Sequence, residues 1–189
     1  MTAAIIVVGG LVLLVLLLAI FAVAIYNRLI GLRNQVQNAW SQIDVQLKRR
    51  YDLIPNLVNA VKGYMEHERG VFEAVTEARS RAMAAGGDVA QRAEAESELT
   101  RSLRSLFAVA ENYPQLRASE NMQMFQEELA STENRVAFAR QHYNDSVQTY
   151  NTAQQTFPAA LFSSMLGFRT AQLFEMQDVA ERAVPQVQF

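Results

Sequence analysis

The chain has 189 residues, no cysteine and a near-balanced charge, with 17 basic and 19 acidic residues for a net of −2. That balance argues against a nucleic-acid binder, which carries a basic excess, and the lack of Cys excludes disulfides, thiolate zinc sites and cysteine nucleophiles. With 8 Gly and 4 Pro as breakers, long helices are expected in place of many strands and turns.

The first element is apolar. Thr2 to Asn27 carries no charged side chain, and the 23 residues from Ala3 to Ile25 are nearly all aliphatic. About 20 apolar residues cross a hydrocarbon core about 30 Å thick. A cleaved signal peptide would have a basic start and a shorter apolar run, so the stretch reads as a membrane anchor. Tyr26 and Arg28 stand where an interfacial aromatic ring and a snorkelling cation belong. Arg28 and Arg33 follow the span and favour a cytoplasmic body.

Beyond the anchor, Leu29, Leu32, Val36, Trp40, Ile43 and Leu47 recur in steps of three and four, which places them on one helical face. A single rod from Ala3 to Arg50 is predicted, with Gly31 as its weak point. Asp52 as a cap and Pro55 in a first turn predict a turn at Arg50–Ile54. A second helix then carries Leu57, Val58, Val61, Tyr64, Met65, Val71, Phe72, Val75 and Ala82 and ends at Gly86-Gly87. It is longer than the soluble part of the first, so either the rod bends near Gly31 or the second helix kinks at Gly63. Asp88 with Gln91 reads as a capping box for a third helix, which holds Leu99, Leu103, Leu106, Phe107 and Val109 and stops before Pro114. Ser119 caps a fourth, whose seam is Met122, Phe125, Leu129, Thr132, Val136, Ala139, Tyr143, Ser146 and Tyr150.

Short connections make consecutive helices antiparallel neighbours. The predicted fold is therefore all-α: an N-terminal transmembrane helix (1–27), an antiparallel up-down-up-down four-helix bundle (28–153), and a short apolar C-terminal segment with a tail (154–189). The fourth helix breaks at Gln154–Pro158. An uncharged run follows, with Phe157, Leu161, Phe162, Met165 and Phe168, too short to span a bilayer. Three placements stay open for it: on the lipid surface, over the end of the bundle, or against a second subunit. Leu173, Phe174 and Met176 continue the apolar theme in the tail.

Little in the chain points to chemistry. His67 and His142 lie in neither HExxH nor Glu-x-x-His patterns and read as surface or satisfied residues. No GxxxxGK[ST], GxGxxG or GxSxG is present. Glu94, Glu96, Glu98 and Glu127-Glu128 read as solvated faces. Lys48-Arg49-Arg50 is the densest basic cluster. It reads either as complementing the dipole at a helix C-terminus or as a docking patch for an acidic partner. Tyr143-Asn144 and Tyr150-Asn151, seven residues apart, put polar groups on the seam.

These runs carry a resemblance. YNRLIGLRNQVQNAWSQIDVQLKRRYDLIPNLVNAVKGYMEHE (Tyr26–Glu68) and QHYNDSVQTYNTAQQTFPAALFSSMLGF (Gln141–Phe168), with the VPQVQF ending, resemble the signatures of the LemA family. The resemblance implies a bacterial membrane protein with a short N-terminus outside and a helical bundle inside, in the company of membrane proteases. It supplies no catalytic residue. Trp40, Tyr51, Pro55, Tyr143 and Asn151 are the positions expected to carry the family architecture.

The expectation is a non-catalytic scaffold or adaptor, anchored in the inner membrane, that self-associates into a homo-oligomer or docks to a membrane partner such as a protease. No cofactor or metal is called for, and no nucleic acid. Its contact residues are Lys48, Arg49, Arg50, Phe157, Leu161, Phe162, Met165 and Phe168. Two alternatives stand beside it: a membrane-shaping, lipid-binding protein, and an enzyme using the bundle interior.

Overall fold

The computed structural model describes residues 2–175, and every regular element among them is helical. Helix α1 runs unbroken from Thr2 to Lys62. It is followed by α2 (Arg69–Ala84), α3 (Val89–Ala110), the single turn α4 (Pro114–Arg117) and α5 (Glu120–Gln155). A 3₁₀ turn, Ala159–Leu161, opens the C-terminal segment. The Met176 position and the VPQVQF ending lie outside the described residues.

The predicted turn at Arg50–Ile54 is absent, and α1 carries Pro55 in its interior. A proline there lacks the N–H that would bond the carbonyl four residues back, which leaves the Tyr51 C=O without its helical donor. Arg79 of α2 supplies the replacement, donating from Nε to Tyr51 O at 2.8 Å. The apolar stripe also keeps its period through the site, since Ile43, Leu47, Ile54, Leu57 and Val61 are all buried. Packing thus outweighs the local breaker. The chain turns instead at Gly63–Glu68, where Tyr64 N donates to Val61 O and Glu68 N to Met65 O. Of the two positions proposed to absorb the length mismatch, Gly63 is where the helix ends.

The remaining boundaries follow their sequence signals. Asp88 accepts from Ala90 N at 3.0 Å and caps α3. Gly87 takes φ +91°, a left-handed conformation that a side chain would resist. Ser119 accepts from Met122 N at 3.3 Å at the start of α5. Pro114 opens α4 at its first position, where its missing N–H costs nothing.

The chain divides into two compact units: residues 1–39 with 144–171, and residues 40–143 with 172–189. The second is the four-helix bundle. Its helices are tied pairwise: α1 to α2 through Tyr51 and Arg79, α2 to α3 through Arg81–Glu98 at 2.9 Å, α1 to α3 through Arg50–Glu96, and α1 to α5 through Arg49–Glu128 at 3.1 Å. Asp44 meets Arg92 and Arg50 meets Glu96, so α1 and α3 run parallel; Trp40 meets Tyr143 and Arg49 meets Glu128, so α1 and α5 run antiparallel. Leu57, Val75, Leu99, Leu106 and Leu129 fill the interior.

The first unit pairs the N-terminal part of α1 with the end of α5. Leu29, Tyr150, Ala159 and Phe168 form its core, with Ile25, Val36 and Ala153 packed around them. Its α1 portion holds the one described helix stretch long and apolar enough to cross a membrane, and none of that stretch is buried within the protein.

Candidate functional site

Two constellations stand out, one in each unit. The bundle holds a buried charged network. Arg50 and Glu96 both have fully buried side chains, 3.0 Å apart from Nη1 to Oε2. Arg50 Nη2 donates to Thr100 Oγ1 at 2.8 Å and pairs with Glu133 Oε1 at 2.9 Å. Tyr51 donates its hydroxyl to the other Glu96 oxygen. Thr100 donates in turn to the Glu96 carbonyl at 3.0 Å, locking the α3 turn that presents the carboxylate. Beside it, Arg92 Nη2 lies 2.9 Å from Asp44 Oδ1, close enough for an ion pair but not aligned as a hydrogen bond. The Arg92 guanidinium also covers the Trp40 ring at 5.6 Å.

One guanidinium therefore holds two carboxylates in different environments. Glu96 is dry, whereas the Glu133 side chain is 40% exposed. A cleft of about 400 Å³ lined by Arg50, Thr100, Leu103, Phe107, Leu129 and Glu133 opens onto the wet side. Burial pushes the Glu96 carboxyl above the usual carboxylate range, against the pull of Tyr51, Arg50 and Arg92. Burial and the neighbouring Glu96 raise the Tyr51 phenol as well. A polar cluster inside the bundle is what an interior enzyme would require. Here the cation, carboxylate and phenol bond one another across α1, α3 and α5 as a cross-link does, while Arg50 Nε is buried without a hydrogen-bond partner.

Glu96 is thus a correction to the sequence reading, which placed it on a solvated face. The missed signal was periodicity. Ala93, Glu96, Leu99, Leu103 and Leu106 recur in steps of three and four, as do Leu47, Arg50, Ile54 and Leu57, so each charged residue occupies a core register. Arg50 accordingly sits inside the bundle, while Lys48 and Arg49 keep exposed side chains on α1, Arg49 paired with Glu128. His67 and His142 are exposed.

In the first unit, the C-terminal segment doubles back along α5. Asn151 clamps it in both directions, donating from Nδ2 to Ala171 O and accepting from Ala171 N, each at 2.9 Å. Gln154 donates to Arg169 O at 3.4 Å, and Ser163 donates to Gln154 O at 3.3 Å. Gly167, at φ +77°, makes the reversal. Phe168 turns inward, edge-on to Tyr26 at 5.6 Å and beneath the Arg33 guanidinium at 5.9 Å. The other predicted contact residues face out: Phe157 is 82% and Met165 84% exposed, and Leu161 and Phe162 are exposed with them. Ser163 and Ala159 hold the inner face.

Of the four remaining architectural positions, Trp40, Tyr51 and Tyr143 make contacts in the bundle, and Pro55 lies inside α1. Trp40 packs on Tyr143 at 5.2 Å and on Phe174 at 5.6 Å. The Tyr143 hydroxyl donates to Gln172 O at 2.9 Å and fastens the segment entering the tail.

A family model described as the LemA family matches residues 39–189. Magnetosome protein MamQ of Magnetospirillum gryphiswaldense is 23% identical over 189 residues, covering 86% of this chain and 70% of the relative. MamQ 2 of Paramagnetospirillum magneticum is 22% identical over 184 residues, covering 84% and 68%. Protein LemA of Metamycoplasma hominis is 24% identical over 153 residues, covering 81% and 70%.

Proposed function

Since the chain belongs to the LemA family, we propose that it is a membrane-anchored helical scaffold or adaptor that works by self-association or by docking to a membrane partner, without catalysis. The carrying observation is the outward display of large apolar side chains. The span exposes Ile, Leu and Val throughout, and Phe157, Leu161 and Met165 continue the display in the same compact unit. Monomeric soluble proteins rarely show contiguous apolar surface of this kind, and it marks membrane or protein contact. The magnetosome relatives are named for a structure they belong to and not for a reaction, which agrees with a building role.

In this reading the protein lies in the bacterial inner membrane with its N-terminus outside and the bundle in the cytoplasm. Lys48 and Arg49 form the basic docking pair for an acidic partner face, and a membrane protease is the partner class. A second reading, membrane shaping, draws on the same exposed Phe157–Met165 face, which is built to wedge among lipids. Light scattering of the full-length protein in detergent, paired with affinity capture from membranes, tests the scaffold. A defined oligomer or a reproducible membrane partner is expected. A strict monomer that captures nothing would overturn it.

A further inference from the structure

The first unit contains a crevice of about 230 Å³ between the end of the apolar run and the start of the C-terminal segment. Phe21, Ala24 and Ile25 line one side, Phe157 and Pro158 the other, and Arg28 belongs to the rim. We propose that this crevice holds an acyl chain of a membrane glycerophospholipid, with Arg28 on the phosphate; this deepens the reading above and rests on the apolar run lying in a bilayer.

Three observations carry it. The crevice is walled by residues of the apolar run itself, so whatever solvates that run solvates the crevice, and among acyl chains an apolar groove fills with an acyl chain. The opposite wall leads directly into exposed Phe157, Leu161 and Met165, which carry no charge among them. The charge of the unit is complementary to phosphate. Its two segments, 1–39 and 144–171, contain three arginines (Arg28, Arg33 and Arg169) against one acid, Asp145, for +2 in a chain of −2. Arg28 is the first charged side chain after the apolar run, at the level where a snorkelling cation meets headgroups.

The chain has no cysteine, so Met165→Cys accepts a nitroxide at one place only. The full-length labelled protein is placed in nanodiscs of phosphatidylcholine and phosphatidylglycerol, and collision with oxygen is compared with collision with a water-soluble nickel chelate. In parallel, native mass spectrometry of the detergent-purified protein follows phosphatidylglycerol binding in Arg28→Gln, in Ala24→Phe, which fills the crevice, and in Arg101→Gln as a remote control. The nitroxide is expected to favour oxygen. Lipid binding should weaken about fivefold in Arg28→Gln, fall in Ala24→Phe and stay unchanged in Arg101→Gln. A lipid-immersed nitroxide with binding unmoved by both crevice variants overturns the crevice site and leaves the membrane-facing surface standing. A nitroxide reached by nickel and not by oxygen overturns both.

Discussion

The two compact units use their unusual residues in opposite ways. The bundle, 40–143 with 172–189, buries charge: Arg50 and Glu96 are wholly enclosed. The other unit, 1–39 with 144–171, exposes hydrocarbon, with Phe157 and Met165 more than four-fifths open. Their net charges differ in sign as well. Subtracting the +2 of the unit 1–39 with 144–171 from the chain's −2 leaves −4 on the bundle. A buried ion pair is weak evidence for stability, and what it penalises is a misregistered helix, which would strand a charge. An exposed apolar face adds nothing to the fold that displays it and has value only to what it meets. The contrast therefore separates residues that define the structure from residues that engage something outside it.

The largest effect should come from removing the shared cation. Arg50→Met strips Glu96 of its partner while keeping the hydrocarbon volume, so unfolding free energy should drop by about 3–5 kcal/mol in denaturant titration. The double variant Arg50→Met with Glu96→Leu should recover much of that, because no buried charge is then left over. A single variant as stable as the wild type would show that the network does not hold the bundle together.

Next in size is Asn151→Ala, which removes both halves of the clamp on Ala171. Two part-buried backbone groups lose their partner, at about 1–3 kcal/mol. The loss should be local. The Ala171 amide should exchange with deuterium far faster, while amides at the centre of α3 keep their protection. Equal acceleration in both places would show that Asn151 acts on the whole fold.

How much of this was legible beforehand differs between the two units. The α5 seam was readable because it has an unbroken period, and Met122, Leu129, Thr132, Val136, Tyr143 and Tyr150 are buried as that period requires. The Asp88 and Ser119 caps were readable because their chemistry is local. Pro55 misled for the same reason: a local rule was applied where a long-range donor, Arg79, removes the penalty. Arg50 and Glu96 were hidden because residue type was weighed above register, although their spacing placed them in the core. Asn151 was identified as an architectural position, but its partner 20 residues on depends on how the segment folds back after Pro158, which no periodicity encodes.

The dry carboxylate predicts a pH effect of definite sign. Burial raises the folded pKa of Glu96, so the folded protein keeps this proton after the unfolded chain has lost it. The contribution of such a group is complete below the unfolded pKa and is lost as pH rises through the folded one. Glu96→Gln cannot ionise. The stability of the wild type minus that of Glu96→Gln should therefore fall as pH rises above the ordinary glutamate range. A difference that rises with pH would mean that Arg50 outweighs desolvation.

The smallest effect on stability should come from the face that matters most to the proposed function. Phe157 and Met165 make little use of the fold, so Phe157→Ser with Met165→Ser should change unfolding free energy by no more than about 0.5 kcal/mol. The same double variant should retain fewer phosphatidylglycerol molecules in native mass spectrometry of the full-length, detergent-purified protein. Phe138 on α5 supplies the comparison within the bundle, being 72% exposed. If the outward hydrocarbon of the first unit is the working surface, Phe138→Ser leaves both lipid retention and particle mass unchanged. If Phe138→Ser alone lowers the mass, self-association belongs to the bundle, and the Phe157–Met165 face is left to lipid.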